Sequence, residues 1–162
     1  MKKLFFVFNL LLISFLSFSQ KSNYRVSLIG FYNLENLYDT VNNPMVDDEE
    51  FLPNSARQYN SHIYLDKLDR LSDVVSQMGT DITPDGLALL GVAEIENDTV
   101  LTDLARTPKL AKRKWKFVHY DSPDRRGVDV ALFYNPKYFS VLHSEPIVCS
   151  IAGRIKRCVF YP

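Results

Sequence analysis

The chain has 162 residues, 19 Lys plus Arg against 19 Asp plus Glu, and is 46% hydrophobic and 13% aromatic. This is globular composition, neither disordered, collagenous nor wholly membrane-embedded, with room for one domain at most. Two cysteines cannot build a disulfide-rich scaffold, and a net charge of zero argues against nucleic-acid binding by bulk electrostatics alone.

Lys2 and Lys3 precede an apolar run from Leu4 to Leu16 broken only by Asn9 and Ser14, and Ser17, Phe18 and Ser19 give a small-x-small pattern before Gln20. The pattern predicts a secretory signal peptide over residues 1–19, cleaved near Ser19, and an exported protein, periplasmic or extracellular. The apolar run falls short of the roughly 20 residues that a spanning helix needs. No integral membrane span is expected once the signal is removed. From Gln20 to Ala105 there are 15 acids and 5 bases, and from Arg106 onward 4 acids and 12 bases. This split fits a cation site facing anion-binding residues, and equally two solvated faces.

Arg25 to Asn33 alternates, with Val26, Leu28, Ile29 and Phe31 among polar or small neighbours, and reads as a strand. Thr40 to Asn60 has no sustained period and reads as a long loop, either functional or mobile. Tyr64, Leu68, Leu71, Val75 and Met78 recur at steps of 4, 3, 4 and 3, which predicts a helix from about residue 58 to Met78. After the Pro84-Asp85-Gly86 turn, Leu87 to Ala93 is continuously apolar, as in a central strand buried on both faces. Asp98 is expected to cap a short helix through Ala105. Trp115 to Tyr120 and Val128 to Tyr134 flank a turn and predict an antiparallel pair. Phe139 to His143 and, more weakly, Ile155 to Tyr161 are further strand candidates.

Asn33 and Glu35 lie two apart at the end of the first strand, where residues i and i+2 of an extended chain share a side. Glu94 follows the buried run and emerges at a strand end. An amide and two carboxylates are hard oxygen donors, suited to Mg²⁺, Mn²⁺ or Ca²⁺ rather than zinc. The alternative is a set of exposed strand-end charges without a ligand.

The strings Phe31-Tyr-Asn-Leu-Glu-Asn-Leu-Tyr-Asp39, Leu90-Gly-Val-Ala-Glu-Ile-Glu-Asn97 and Asp121-Ser-Pro-Asp-Arg-Arg-Gly-Val-Asp-Val-Ala-Leu-Phe-Tyr134 together resemble the endonuclease/exonuclease/phosphatase superfamily. The resemblance runs from about Tyr24 to Val148. It implies an α/β fold, a four-layered α/β sandwich of the deoxyribonuclease-like type, with residues 20–162 forming the N-terminal part around a mixed, mostly antiparallel sheet. It also implies a divalent-metal-dependent phosphoesterase acting on phosphodiester or phosphomonoester bonds, nucleic acid among its candidate substrates. Asn33 then matches the family's Asn that orients the scissile phosphate and the nucleophile. Glu94 matches its cation-coordinating Glu, and Glu35 a position where some members carry an acidic metal contact.

The family's Gly-Asp-x-Asn and Asp-His motifs do not occur in the 162 residues. The expectation is therefore a truncated or frameshifted product with negligible hydrolysis of its own, and the alternative is a non-catalytic cation- or phosphate-binding module or an inert fragment. Arg126 and Asp129, with Arg125, flank the turn beside the expected site and are substrate-binding candidates, a solvated hairpin being the alternative. His119 and His143 read as structural and His62 as solvated. The basic run Lys109, Lys112, Arg113, Lys114 and Lys116 around Trp115 reads as a solvated helix face or loop, the alternative being contact with a phosphate backbone. Cys149 and Cys158 could pair in an oxidising compartment.

Overall fold

Leu87 to Ile95 is apolar at nearly every position because it has neighbours on both edges and is covered on its inner face. It forms β2, flanked in a four-stranded sheet by β1 (Leu28–Leu37) and β4 (Asp129–Tyr134), with β3 (Lys116–His119) beyond β4. The computed structural model describes residues 24–151 and 154–159, with side chains as far as residue 147. The expected signal peptide lies outside the described residues. β1 runs parallel to β2, whereas β4 is antiparallel to both β2 and β3. The sheet is thus mixed and mostly antiparallel, and the mixed α/β architecture matches the expected class.

Parallel strands cannot be joined by a tight hairpin. The β1–β2 crossover contains α1 (Ser61–Gln77), which starts where the Asn60 side chain accepts from the backbone N–H groups of His62 and Ile63. Its stripe buries Tyr64, Leu68 and Val75 with Leu34, Leu37, Leu90, Val92 and Phe133 of the sheet in one hydrophobic core. α2 (Asp98–Arg106) adds Val100, Leu101 and Leu104 to that core. Its cap is Asn97, whose side chain accepts from Thr99 and Val100. Asp98, expected as the cap, is instead the first helical residue and is free to turn its carboxylate elsewhere.

Two strand expectations need correction. The first strand starts at Leu28 rather than Arg25 and continues past Asn33 to Leu37. Phe139 to His143 is not a strand. The chain there is irregular, with Leu142 96% exposed, and the strand that follows is β5 (Pro146–Ile151), paired antiparallel with β6 (Arg154–Val159). β-Forming residues at 139 and 141 find no partner to pair with, and propensity alone does not make a strand. The β5–β6 register sets Cys149 opposite Lys156 and Cys158 opposite Ile147.

The long loop after β1 is docked. Tyr38 stacks on Phe51 at 4.1 Å, Phe51 meets Tyr59 edge-on, and the Tyr59 hydroxyl donates to the Tyr38 carbonyl at 3.0 Å. Gly127, at φ +66, must be glycine both for its backbone and because a Cβ would lie 2.7 Å from Val46 Cγ2. Among the described residues, no helix is long and apolar enough to cross a membrane.

The sheet has a second face. Ile29 and Phe31 of β1 are 71% and 67% exposed there, next to the part-exposed Leu89, Leu132 and Tyr134. Phe133, on the opposite face, is fully buried between Trp115 and Phe117. Truncating it in Phe133→Ala should cost about 3–5 kcal/mol, whereas the exposed Leu142→Ala should stay within about 0.5 kcal/mol of wild type. Urea unfolding midpoints measure both, and equal shifts would refute this placement of the core.

Candidate functional site

The ladder slips where β1 and β2 end. Asn33 pairs with Ala93, and the next pair is Leu37 with Ile95, so Leu34, Glu35 and Asn36 stand against Glu94 alone. On the other side Ala93 pairs with Val130 and Ile95 with Asp129, so Glu94 is an extra residue against β4 as well. Glu35, Asn36 and Glu94 take left-handed backbone at φ 52, 59 and 58. Such conformations cost of order 1 kcal/mol or more in non-glycine residues. The extra residue of a bulge re-aims its side chain, and Glu94 is turned towards β1.

There Asn33 Nδ2 donates to Glu94 Oε1 at 3.1 Å, and Asn33 Oδ1 accepts the Glu35 N–H at 2.8 Å. The amide thus closes the β1 turn with its oxygen and orients the carboxylate with its nitrogen. Lys67 of α1 caps the same turn, its Nζ donating to the carbonyls of Glu35 at 2.6 Å and Asn36 at 2.8 Å. Burial lowers the Lys67 ammonium from its ordinary value, and the charges of Glu35 and Glu94 oppose that shift. Arg126 also lies within electrostatic reach of Glu94, its guanidinium held by Asp124 through Nε at 3.1 Å and Nη2 at 3.0 Å.

A hard divalent cation suits this centre. Asn33 spends its oxygen on a backbone N–H, which leaves the Glu94 carboxylate as the oxygen donor that these contacts bring to the centre. Mg²⁺ is characteristically held by one or two carboxylates, with water or phosphate oxygens completing its shell.

Asp129, on the strand next to Glu94, faces inward. Its Oδ1 accepts the Ser122 N–H at 2.6 Å and its Oδ2 lies 3.0 Å from His119 Nε2. The other ring nitrogen, Nδ1, lies 2.7 Å from Asp98 Oδ1. His119 and Asp129 side chains are 5% and 4% exposed, so Asp129 orients the imidazole and the 122–127 turn rather than offering a free carboxylate. Burial alone would lower the His119 pKa, but the bonds from Asp129 and Asp98 overcome it and raise the value above 6.5. Oxygens of Asp121 and Asp129 and a His119 nitrogen also lie within 4.8 Å of one another, near enough for a shared cation that displaces the ring proton.

Beneath the bulge, Glu96 Oε2 accepts the Asp39 N–H at 2.8 Å and Asn97 Nδ2 donates to Asp39 Oδ2 at 3.1 Å. Burial pushes the Glu96 carboxyl up to about 7, the Asp39 N–H counteracting in part and the Asp39 and Asp48 charges adding to the rise. The Tyr38 hydroxyl reaches the Arg126 carbonyl at 2.5 Å, and Arg125 pairs with Asp47 at 3.0 Å. Loop and turn are thereby fixed at the rim of the centre.

Of the residues singled out in the sequence, Asn33 and Glu94 meet directly. Glu35 joins through its backbone, because its left-handed φ departs from the extended alternation that was to bring its side chain alongside Asn33. His119 is structural, as read, and bridges Asp98 to Asp129 beneath the turn, whereas Lys67 escaped notice. Its signal was position: Lys67 follows Tyr64 by three and precedes Leu71 by four, on the flank of the buried stripe.

A family model described as Endonuclease/Exonuclease/phosphatase family matches residues 28–155. No curated protein and no solved structure matches the chain.

The imidazolium between two carboxylates makes stability depend on pH. Because its folded pKa is raised, its contribution is complete below the ordinary value of 6.5 and is lost as pH rises through the folded value. The stability gap between wild type and His119→Gln, measured by urea unfolding, should therefore narrow as pH climbs through that window. A gap constant with pH would show that the ring is neutral there.

Proposed function

The chain belongs to the endonuclease/exonuclease/phosphatase family, and from that premise we propose that the Asn33–Glu94 centre is the divalent-cation part of a phosphoesterase site. The observation that carries this reading is the 3.1 Å bond between two side chains 61 residues apart, made possible by left-handed backbone on both strands. Backbone held in costly conformations at the ends of two adjacent strands is characteristic of functional sites.

Glu94 would hold Mg²⁺, or Mn²⁺ or Ca²⁺ in its place, with the Glu35 carboxylate proposed as a second ligand. Such a cation, when bound, neutralises a phosphate oxygen and the charge that develops on the leaving group. The chain's own residues set up that chemistry. Asn33 fixes the orientation of the Glu94 carboxylate, and Lys67 locks the β1 turn through two carbonyls while its charge offsets those of Glu35 and Glu94. Arg126 presents a guanidinium suited to a phosphate ester, and Asp129 and His119 hold the turn that carries it.

Water activation and donation to the phosphate call for further groups. The 162 residues hold neither the Gly-Asp-x-Asn nor the Asp-His string that the family uses for them. The reading is thus of a chain that binds the cation and, by itself, hydrolyses phosphate esters negligibly. The substrate class is a phosphodiester or phosphomonoester, and the N-terminal sequence favours export.

Calorimetric titration with Mg²⁺ and Mn²⁺ tests the assignment. Wild type should bind, Glu94→Gln should abolish binding, and Asn33→Ala should weaken it by about 10–100-fold, as loss of a ligand-orienting partner does. Hydrolysis of bis(p-nitrophenyl) phosphate should remain at background throughout. Wild-type affinity in Glu94→Gln would remove the carboxylate from the site, and turnover abolished by Glu94→Gln would show that the chain is catalytically complete.

A further inference from the structure

A second site lies at the opposite end of the sheet. β2 runs from Leu87 towards Glu94, so the turn before it and the residues after the antiparallel β4 lie about 20 Å from the cation centre, at roughly 3.3 Å per strand residue. A cleft of about 690 Å³ opens there among the end of α1, the Pro84–Asp85 turn, the segment around Arg113 and the chain leaving β4. That volume suits a small ligand. Its lining carries Lys112, Arg113, Lys114 and Lys137 against one carboxylate, Asp85. Asp85 is itself engaged by Lys137 Nζ and the Tyr138 hydroxyl, each at 2.5 Å.

Arg113 is built into the wall. It is only 8% exposed, Nη2 donates to the Ser76 carbonyl at 2.6 Å, and Cζ lies 5.1 Å from the centre of the Trp115 ring. Gly86 lies against the guanidinium so closely that a Cβ there would be 2.6 Å from Nη2 and 2.9 Å from Nη1. Nη1 is buried and has no hydrogen-bond partner among the described residues. Buried donors are normally paired, by protein, water or a bound ion, and an unpaired cationic one is costly. Lys114, in left-handed backbone at φ 52, closes the short 3₁₀ turn Ala111–Arg113, in which Arg113 is buried while Lys112 and Lys114 remain exposed.

We propose that this cleft binds a compact phosphate-type anion, held by Lys112 and Lys114 at the rim over the guanidinium charge of Arg113 in the wall. No aromatic ring lines the cleft and Trp115 is covered by Arg113, so there is no platform on which a base would stack. Recognition is of the phosphoryl group itself. The site is independent of the cation centre.

Isothermal titration of the whole chain with inorganic phosphate and pyrophosphate, in metal-free buffer at low salt, decides the matter. Saturable binding is expected, tighter for pyrophosphate and weakening with added salt. Lys112→Gln/Lys114→Gln, which alters only exposed side chains, should lower the affinity by about three- to tenfold. Glu94→Gln should leave it unchanged. Arg113→Gln should abolish it, with circular dichroism to show that the variant is folded. No saturable heat up to about 10 mM pyrophosphate, an affinity too weak to matter, would overturn the proposal. So would an affinity that is indifferent to the double lysine change, or one that falls in Glu94→Gln, which would put the anion at the cation centre. ADP binding far more tightly than pyrophosphate would equally overturn recognition of the phosphoryl group alone.

Discussion

The structure turns on the slipped register at the ends of β1 and β2. Three residues of one strand face a single residue of the other, and the pairing recovers one step later through Leu37 and Ile95, both fully buried. The core therefore survives the irregularity while the residues inside it are released from ladder geometry. Without the slip, Glu94 would continue the alternation of β2 and point along the sheet normal, and Asn33 would have no carboxylate to orient. The same step brings Glu96 and Asn97 under the chain as it leaves β1, where they hold the Asp39 N–H and carboxylate. Lys67 ties the arrangement to α1, so helix, both strands and the loop share one mechanical point.

Charge placement follows a consistent rule around that point. Groups that face the centre are partly exposed and lie near an opposite charge, whereas those that hold the turn are buried and bonded. Asp129 belongs to the second kind and Glu94 to the first, although they sit at neighbouring positions on adjacent strands. The acidic excess of the first half and the basic excess of the second meet here only in part, through Asp47 with Arg125 and the influence of Arg126 on Glu94. Much of the remaining basic charge gathers at the far end, around Arg113 and Lys137.

What the sequence disclosed tracks how local each signal is. The steps between Tyr64 and Met78 gave α1 because a helical stripe depends only on spacing, and the unbroken apolar run gave β2 its central position. The three motif strings gave the family, since their order survives without any register. The meeting of Asn33 with Glu94 was legible through those strings alone. No pattern in residues 28–37 announces left-handed backbone at Glu35 and Asn36, and a parallel pairing across some sixty residues leaves no local trace. Asn97 and Asp98 are both fit to cap, and tertiary contact with His119 decides between them. Phe139 and Val141 have strand chemistry without a strand to pair with. Arg113 read as one of several surface cations because nothing local shows that the turn at Lys114 leaves it inside.

The exposure of Ile29 and Phe31 bears on how the chain reaches this state rather than on how stable the state is. β1 is an edge of the four-stranded sheet, and its first seven residues, Leu28 to Leu34, contain neither charge nor proline. Such a stretch, with open ladder groups, is a template for strand addition. Its native partner is β2, and that pairing closes a large loop, so it forms late relative to local structure. During that interval the segment competes between its own β2 and the β1 of another molecule. The balance shifts with concentration, and the yield of soluble protein is therefore set by kinetics, by how fast α1 delivers β2 to the waiting edge.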